Sequence, residues 1–495
     1  MMTKYQFPKM LLFIQLIRVS KMNFLRRNFY LTIFMVCLLT SILLYQSSLN
    51  YYFFQDDFFE IGSARASNFW EYLSFYTFRS DIVDWRPISQ LNYFFFLKNL
   101  FGLNPIGYRI VSYVLFFITA LLIAKVVGKI AKSPRSGLLC ASIWTVSSVH
   151  FMNLTWISAS YNIVGTFFFL LTSLFFLKHM ETKSKIHYFL AIIGFLLALG
   201  SFEFALTWPL LFILYSVLIL KNSFPVALKT FMPFIAICSI YLILRFSFMD
   251  VPKIPEYAVS FNFESIKTLF WYLLWSFNIP EEFKKQIVDN LIVFNPRFLQ
   301  DYYPLVLKTF TGLALVLILG VAFPLTVLIR RKITPNIQTV TFFVSWFLIT
   351  IMPVLLIPKH TFIMYLSLSA IGLYAVVSCL LISLKNKMLV LGFLLIWLWV
   401  STTTLSFYKQ NFWMIEAQKF AAKFTLNIKK QLSVLPEGSI VIYPLNDHRE
   451  IQSLQGSDSL NLIYGRKDLL IFYNKQAILE KYEKIKGRPI YLYIP

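Results

Sequence analysis

The sequence predicts an all-α polytopic membrane protein with a small α/β module at its C-terminal end. Three observations predict this class. Charged residues make up only 14% of the 495 residues, against about 25% in ordinary soluble domains. Apolar runs of about 20 residues recur along the chain, and a helix needs that length to cross a bilayer. Basic and acidic residues also occupy different connections between these runs, as they do in proteins that span a membrane.

Eleven apolar segments are predicted to span the membrane. The first segment lacks a small-residue cleavage site, so we expect it to remain as a signal anchor rather than to be removed. A further membrane-associated helix is expected at 264–279. The eleven predicted spans are 29–48, 106–126, 137–149, 157–177, 187–201, 204–220, 228–247, 305–329, 338–357, 361–383 and 388–407.

The distribution of charge predicts the orientation. With the N-terminus in the cytoplasm, the cytoplasmic connections contain 20 basic residues and one acidic residue, Glu181. The opposite face holds 21 of the 23 acidic residues. Because basic residues are retained on the cytoplasmic side, we expect a cytoplasmic N-terminus and a periplasmic or extracellular C-terminus, in the inner membrane of a bacterium. The net charge of +23 then needs no nucleic-acid partner.

The chain divides into two predicted parts. Residues 1–407 form the transmembrane domain, in which 51–104 and 248–303 are the two large outside loops. Residues 408–495 form an amphipathic helix, at 411–432, and a small module that mixes strands with helix. The strands of this module are predicted in SIVIYPL (439–445), DLLIFYN (468–474) and RPIYLYIP (488–495), with a helix near 475–486.

Two adjacent carboxylates stand out in the first outside loop. Asp56 and Asp57 follow the first span closely and lie among aromatic residues. Burial and mutual repulsion raise the pKa of a carboxyl group, which suits a proton acceptor near neutral pH. A helix N-cap or a solvated loop is the structural alternative.

No phosphate-binding Gly-Lys-Ser/Thr loop, G-x-G-x-x-G, G-x-S-x-G or H-E-x-x-H pattern occurs, which disfavours an ATP-driven pump and a metalloprotease.

The order of several motifs resembles a known superfamily. An acidic pair after the first span looks like the signature of GT-C membrane glycosyltransferases. DWRPISQLNYFFFLKNLFGLNPIGYRIVSYVLFF, VHFMNLTWISASYN and SFEFALTWPLLFILY resemble motifs of its protein O-mannosyltransferase-like branch, especially the bacterial relatives of the tetratricopeptide-linked transmembrane O-mannosyltransferases. The chain departs from these motifs at Met152 and Phe202. The matching residues outside the first motif are His150, Trp156, Ile157, Ser158, Glu203 and Pro209.

The resemblance implies transfer of a sugar from a polyprenyl-phosphate donor to a protein or glycan acceptor on the outer face. Asp56 is then the expected general base, with Asp57 as its neighbour and orienter. The leaving phosphate needs positive charge, although a headgroup anchor is the alternative role for each basic candidate. No cofactor is predicted, and a divalent metal ion stays open without a supporting pattern. The candidates for binding the donor phosphate and substrate are Arg86, Arg109, Glu203, Arg245, Lys359, His360 and Tyr365.

Two other functions stay open at this stage. An O-antigen ligase or polymerase also has many spans and one large outside loop, but it relies on Arg and His in that loop. The loop 248–303 has five basic and seven acidic residues, which disfavours that class. A transporter of a lipid-linked substrate would carry ionisable residues near the middle of its spans, or broken helices in symmetric positions. The sequence displays neither pattern convincingly.

Overall fold

The computed structural model describes residues 28–80, 84–250, 255–288, 293–333, 336–474 and 487–494. Within these ranges the protein is mostly helical, with three short strands near the C-terminus, which confirms the predicted fold class. The helices are α1 Phe29–Tyr45, α2 Asp56–Ser63, α3 Phe69–Leu73, α4 Tyr93–Phe101, α5 Pro105–Ile130, α6 Pro134–Thr145, α7 Phe151–Thr155, α8 Tyr161–Thr182, α9 Lys185–Leu199, α10 Trp208–Leu218, α11 Phe224–Phe248, α12 Phe263–Ser276, α13 Pro296–Leu317, α14 Phe323–Arg330, α15 Ile337–Leu355, α16 Leu366–Ser383, α17 Lys387–Asn411, α18 Trp413–Gln431, α19 His448–Ser453 and α20 Ser457–Tyr464. The strands are β1 Ile440–Ile442, β2 Leu470–Phe472 and β3 Ile490–Leu492.

Eight helices in the described ranges are long and apolar enough to cross a membrane, and each coincides with a predicted span. A ninth crossing is formed if α6 and the following segment Ser148–Thr155, bent by 55°, act as one span. The other two predicted spans are the shorter apolar helices Lys185–Leu199 and Glu203–Leu218. The eight helices are Phe29–Asn50, Pro105–Ile130, Ser158–Thr182, Phe224–Phe248, Pro296–Arg330, Ile337–Leu355, Ile363–Ser383 and Lys387–Asn411.

The outer surfaces of the spans are apolar. On α11, for example, the side chains of Ile243 and Phe246 are 64% and 72% exposed. Continuous apolar surface of this kind is unfavourable in water, whereas lipid tails accommodate it without cost. The helix lengths and these surfaces together establish an integral membrane protein. The predicted membrane-associated helix at 264–279 is α12, which is 14 residues long.

The break between α6 and α7 is held by polar contacts in the helical core. The hydroxyl groups of Ser147 and Ser148 both lie 2.9 Å from the Asn278 side-chain oxygen. The Tyr374 hydroxyl is 2.9 Å from the Ser147 hydroxyl, and the Tyr45 hydroxyl donates to the Ser147 carbonyl. Backbone groups freed by a break inside a membrane need such partners. The bend carries the chain through α7 to Ser158, which contacts the segment between the first two spans at Asp57.

The C-terminal module is a small parallel sheet packed against α18. Its strand order is β2-β1-β3, and all three strands fall within the predicted segments. The Phe424 ring of α18 stacks on Tyr443 at 5.6 Å between centroids. The module also contacts α2, because the Gln55 N–H donates to the Ser453 carbonyl at 2.9 Å. The helix predicted near 475–486 lies outside the described residues.

Candidate functional site

The acidic pair lies at the beginning of α2. Gln55, directly before the helix, has a left-handed backbone with φ of 49°, and its N–H is bonded to the C-terminal module. Asp56 and Asp57 are therefore in the first helical turn, where the helix macrodipole favours negative charge. The two side chains enter different environments, although they are adjacent in sequence.

Asp57 is fully buried, and both of its carboxylate oxygens accept hydrogen bonds. One carboxylate oxygen accepts from the N–H and from the hydroxyl of Ser158, each at 2.7 Å. The other oxygen accepts from the Phe54 N–H at 3.2 Å. Burial raises the pKa of Asp57 to about 7, although the Ser158 hydrogen bond and the Arg109 charge lower it. These contacts give Asp57 a structural role, joining α2 to the segment after α7.

Asp56 is half-buried, and its side chain makes no hydrogen bond or ion pair with any residue in the described ranges. Burial is the main cause that raises its pKa, to about 6, and the negative charges of Asp84 and Asp458 add to the shift. Asp458 belongs to α20 of the C-terminal module. At neutral pH Asp56 is therefore mostly ionised, yet it is more basic than an ordinary aspartate and it is free to accept a proton.

Glu60 is a third acid on the same helix, one turn after Asp56, and sequence reasoning missed it. Its carboxylate accepts from the Gln90 side-chain amide at 2.8 Å. Burial, followed by the charge of Asp56, raises the pKa of Glu60 well above its usual value. The four-residue spacing from Asp56 was the available signal, because it places both side chains on one helix face.

Arg86 and Glu203 form an ion pair beside this face. The Arg86 Nε and Nη2 atoms lie 3.1 and 2.9 Å from the same Glu203 oxygen, and Nη1 lies 3.4 Å from Asp84. The guanidinium carbon is also 4.2 Å from the centre of the Tyr161 ring. Asp84 is the link to the acidic pair, since its charge acts on Asp56 while it contacts Arg86.

A cluster of packed aromatic rings lies next to Arg86. Phe202 stacks on Tyr365 at 6.1 Å, and the Tyr365 ring lies 6.2 Å from His360. His360 stacks on Tyr257 at 4.4 Å. Burial is the main cause that lowers the pKa of His360, so the ring is mostly neutral at pH 7. The structure thus brings Asp56, Arg86, Glu203, His360 and Tyr365 into one region, from four separate stretches of the chain.

Arg245 approaches the same region from α11. Its Nη1 atom is buried and has no hydrogen-bond partner among the described residues, and the same holds for the Tyr241 hydroxyl one turn earlier. The Tyr241 ring is 5.7 Å from Trp85, the neighbour of Arg86. The charges of Glu203, Arg245 and Arg86 all act on Tyr241. Two buried donors therefore stay unsatisfied close to the Arg86 pair.

Two predicted candidates lie in other settings. Arg109 is 1% exposed, and its guanidinium donates to main-chain carbonyls, including Tyr51 at 3.1 Å and Thr155. It therefore holds the chain before α2 against the end of α7, with no donor left for a phosphate. Lys359 is exposed, directly before His360, and makes no ion pair with a described residue.

His150, which matches the family motif, is fully buried in the helical core. Its Nε2 atom lies 2.9 Å from the Trp144 carbonyl, and the two rings are 4.0 Å apart between centroids. These contacts give it a packing role. In the part of the chain that the structure describes, no group of three or more His, Cys, Asp or Glu side chains could hold a metal ion.

The chemistry available here is that of a raised-pKa carboxylate next to a cationic and aromatic region. The carboxylate can accept a proton, and unsatisfied guanidinium and phenol donors can bind an anion.

In comparisons with known proteins, no protein-family model matches this chain, and no curated protein matches it.

Proposed function

We propose that this protein is a GT-C-type membrane glycosyltransferase, which moves a sugar from a polyprenyl-phosphate donor to a protein or glycan acceptor. The acceptor hydroxyl attacks the anomeric carbon of the sugar while Asp56 removes its proton. The bond from the anomeric carbon to the phosphate oxygen breaks, and polyprenyl phosphate leaves with the electron pair. General-base catalysis of this kind contributes about 10²–10⁴-fold.

The unequal environments of the acidic pair carry this proposal. A general base has to reach the substrate, and it needs a pKa not far below the working pH. Asp56 meets both conditions, because it is half-buried, unpartnered among the described residues, and has a pKa of about 6. Asp57 cannot reach a substrate, because it is fully buried. Both of its carboxylate oxygens already accept hydrogen bonds, from Ser158 and Phe54.

The donor phosphate is assigned to Arg245, with Lys359 and His360 nearer the surface. A phosphate leaving group develops charge and needs stabilisation rather than protonation. The free Nη1 of Arg245 and the free hydroxyl of Tyr241 are suited to two phosphate oxygens. Arg86 is already paired with Glu203 and Asp84, so its role here is to hold these two carboxylates in place.

The test is sugar transfer in proteoliposomes, with a panel of polyprenyl-phosphate monosaccharides that includes mannose. Asp56→Asn keeps the size of the side chain and removes the base, so turnover should fall by about two to four orders of magnitude. Asp57→Asn, at equal folded protein, should fall much less. Mass spectrometry of glycoproteins and glycans from a deletion strain identifies the natural acceptor. Near-normal turnover of the folded Asp56→Asn protein would refute the proposal.

A further inference from the structure

A separate groove opens between α13 and α17, on the outer surface of two candidate spans. Its volume is about 360 Å³, within the usual range for small-molecule sites. Apolar side chains, among them Leu305 and Trp399, line part of the groove. Its polar lining includes Lys308, Ser406 and Gln410. The groove therefore combines an apolar surface with polar side chains that can bind the polar part of a ligand.

The groove lies at headgroup depth. A helix rises 1.5 Å per residue, which separates Lys308 from Arg330 by about 33 Å along their span, and Ser406 from Lys387 by about 29 Å. These separations are close to the roughly 30 Å of the hydrocarbon core. With Arg330 and Lys387 at one face of the membrane, both Lys308 and Ser406 reach the opposite face. The groove therefore faces the boundary between lipid tails and headgroups.

Three donors in the groove are free. The Lys308 ammonium, the Ser406 hydroxyl and the Gln410 amide are exposed, and none makes a hydrogen bond or ion pair with a described residue. The neighbouring hydroxyls differ, since Thr402 and Thr403 donate to carbonyls one turn earlier, at 2.6 and 2.9 Å. The free donors come from both helices, so they can converge on one acceptor group.

The charge of the groove selects the ligand. Its lining holds one cation and no acid, which favours a group with a single net negative charge. The groove shares no lining residue with the region of the acidic pair, which contains Asp56, Arg86, Glu203, His360 and Tyr365. It is therefore a separate site, and the sugar donor needs no part of it.

We propose that this groove binds the headgroup of an anionic phospholipid of the phosphatidylglycerol type. Lys308 pairs with the phosphate, Ser406 and Gln410 donate to its oxygens or to the glycerol hydroxyls, and the acyl chains lie against the apolar lining. A bound lipid of this kind joins α13 to α17 and stabilises their packing. A zwitterionic lipid brings an ammonium group that Lys308 repels.

The test uses the full-length protein purified in detergent and exposed to mixed micelles of either phosphatidylglycerol or phosphatidylcholine. Native mass spectrometry measures the lipid retained, and thermal unfolding measures its stabilising effect. We expect phosphatidylglycerol to be retained and to raise the Tm, with little effect of phosphatidylcholine. Lys308→Gln should weaken phosphatidylglycerol binding about five-fold, as expected for one lysine near an anionic lipid.

Lys409→Gln is the matched control, because Lys409 is also at the end of α17 but does not line the groove. It should bind phosphatidylglycerol within two-fold of the parent protein. The double variant Ser406→Leu, Gln410→Leu keeps every charge and should also weaken binding, which provides a second test if Lys308→Gln does not fold. Equal retention of both lipids, equal loss in Lys409→Gln, or displacement of phosphatidylglycerol by equimolar polyprenyl phosphate would overturn the proposal.

Discussion

Arg86 and Glu203, 117 residues apart in the sequence, meet as a two-donor ion pair at the edge of the membrane domain. Their side chains are only 10% and 25% exposed. Glu203 begins a short helical turn before α10, while Arg86 directly precedes the segment leading to α4. The pair therefore connects the segment 51–104, between the first two spans, to the beginning of α10, close to the region that contains Asp56.

The first prediction concerns this pair. Removing one partner leaves the other partly buried without its hydrogen bonds, at a cost of about 1.5–3 kcal/mol. Arg86→Gln and Glu203→Gln should each lower the free energy of unfolding by that amount, and the double variant should lose less than their sum. Unfolding titrations in detergent measure all three. Glu416→Gln, in an exposed pair with Lys419, is the control and should change stability little.

The second prediction is the pH dependence of transfer. Only the ionised form of Asp56 accepts a proton, and its pKa is about 6. The kcat/KM should therefore be constant above pH 7 and fall about ten-fold for each unit below pH 6. The residual activity of Asp56→Asn should not show this fall in kcat/KM below pH 6. A profile of the parent protein that stays flat down to pH 5 would contradict the assignment of Asp56 as the base.

The same raised pKa predicts an effect on stability with a defined sign. The folded protein holds the Asp56 proton more tightly than the unfolded chain, so ionisation opposes folding. This penalty is absent below pH 4, grows up to about pH 6 and is constant above it. Asp56→Asn should therefore raise the Tm at pH 8 and leave it unchanged near pH 4.

The sequence was sufficient to predict the fold class, because apolar length and charge bias act locally along the chain. The eight spanning helices and the three strands coincide with predicted segments for that reason. The bend after α6 was missed, since it depends on Asn278, a residue 131 positions from Ser147. The predicted spans 187–201 and 204–220 correspond to α9 and α10. These two helices are apolar but shorter than the eight helices that are long enough to cross a membrane.

The site was only partly predictable for a related reason. Residue types near the outer span ends suggested Asp56, Arg86, Glu203, His360 and Tyr365, and the structure brings these together. The same reasoning could not predict that Arg109 has a structural role. Its partners are main-chain carbonyls, which every residue has, so the sequence does not identify them. Nor could it separate Asp56 from Asp57, since that difference arises from Ser158, a residue 101 positions away.

The third prediction tests the structural role of Asp57. Ser158→Ala removes one of the two hydrogen bonds that Ser158 donates to the buried carboxylate. The free energy of unfolding should fall by about 1.5–3 kcal/mol, as expected for a bond to a charged group. Thr155→Val is a nearby control, because the buried Thr155 hydroxyl has no partner among the described residues, and it should be neutral or stabilising. Equal losses in both variants would argue against this role.

The fourth prediction is the orientation of the chain. Because basic residues dominate the connections assigned to the cytoplasm, the C-terminal module should lie on the opposite side. A reporter enzyme that is active only outside the cytoplasm should work when fused after Glu437 and stay inactive when fused after Lys332. Activity at Lys332 instead would reverse the orientation and would put Asp56 on the cytoplasmic side, away from an outer-leaflet donor.

The last prediction concerns Arg245, whose Nη1 is buried without a partner among the described residues, as is the Tyr241 hydroxyl. Leaving such donors unsatisfied costs stability, and a bound phosphate would supply both acceptors. Arg245→Gln should therefore weaken binding of the polyprenyl-phosphate donor about 10- to 100-fold, since bonds from a guanidinium to phosphate are charge-assisted.

Two further variants distinguish this role from a general effect of charge. Arg245→Lys should restore part of the affinity but not all of it, because an ammonium group lacks the planar fork of a guanidinium. Lys229→Gln removes a charge near the other end of the same helix and should leave donor affinity unchanged. Titration with a polyprenyl phosphate that lacks the sugar isolates the phosphate contact. Parent-like affinity of Arg245→Gln for that ligand would exclude Arg245 from the phosphate site.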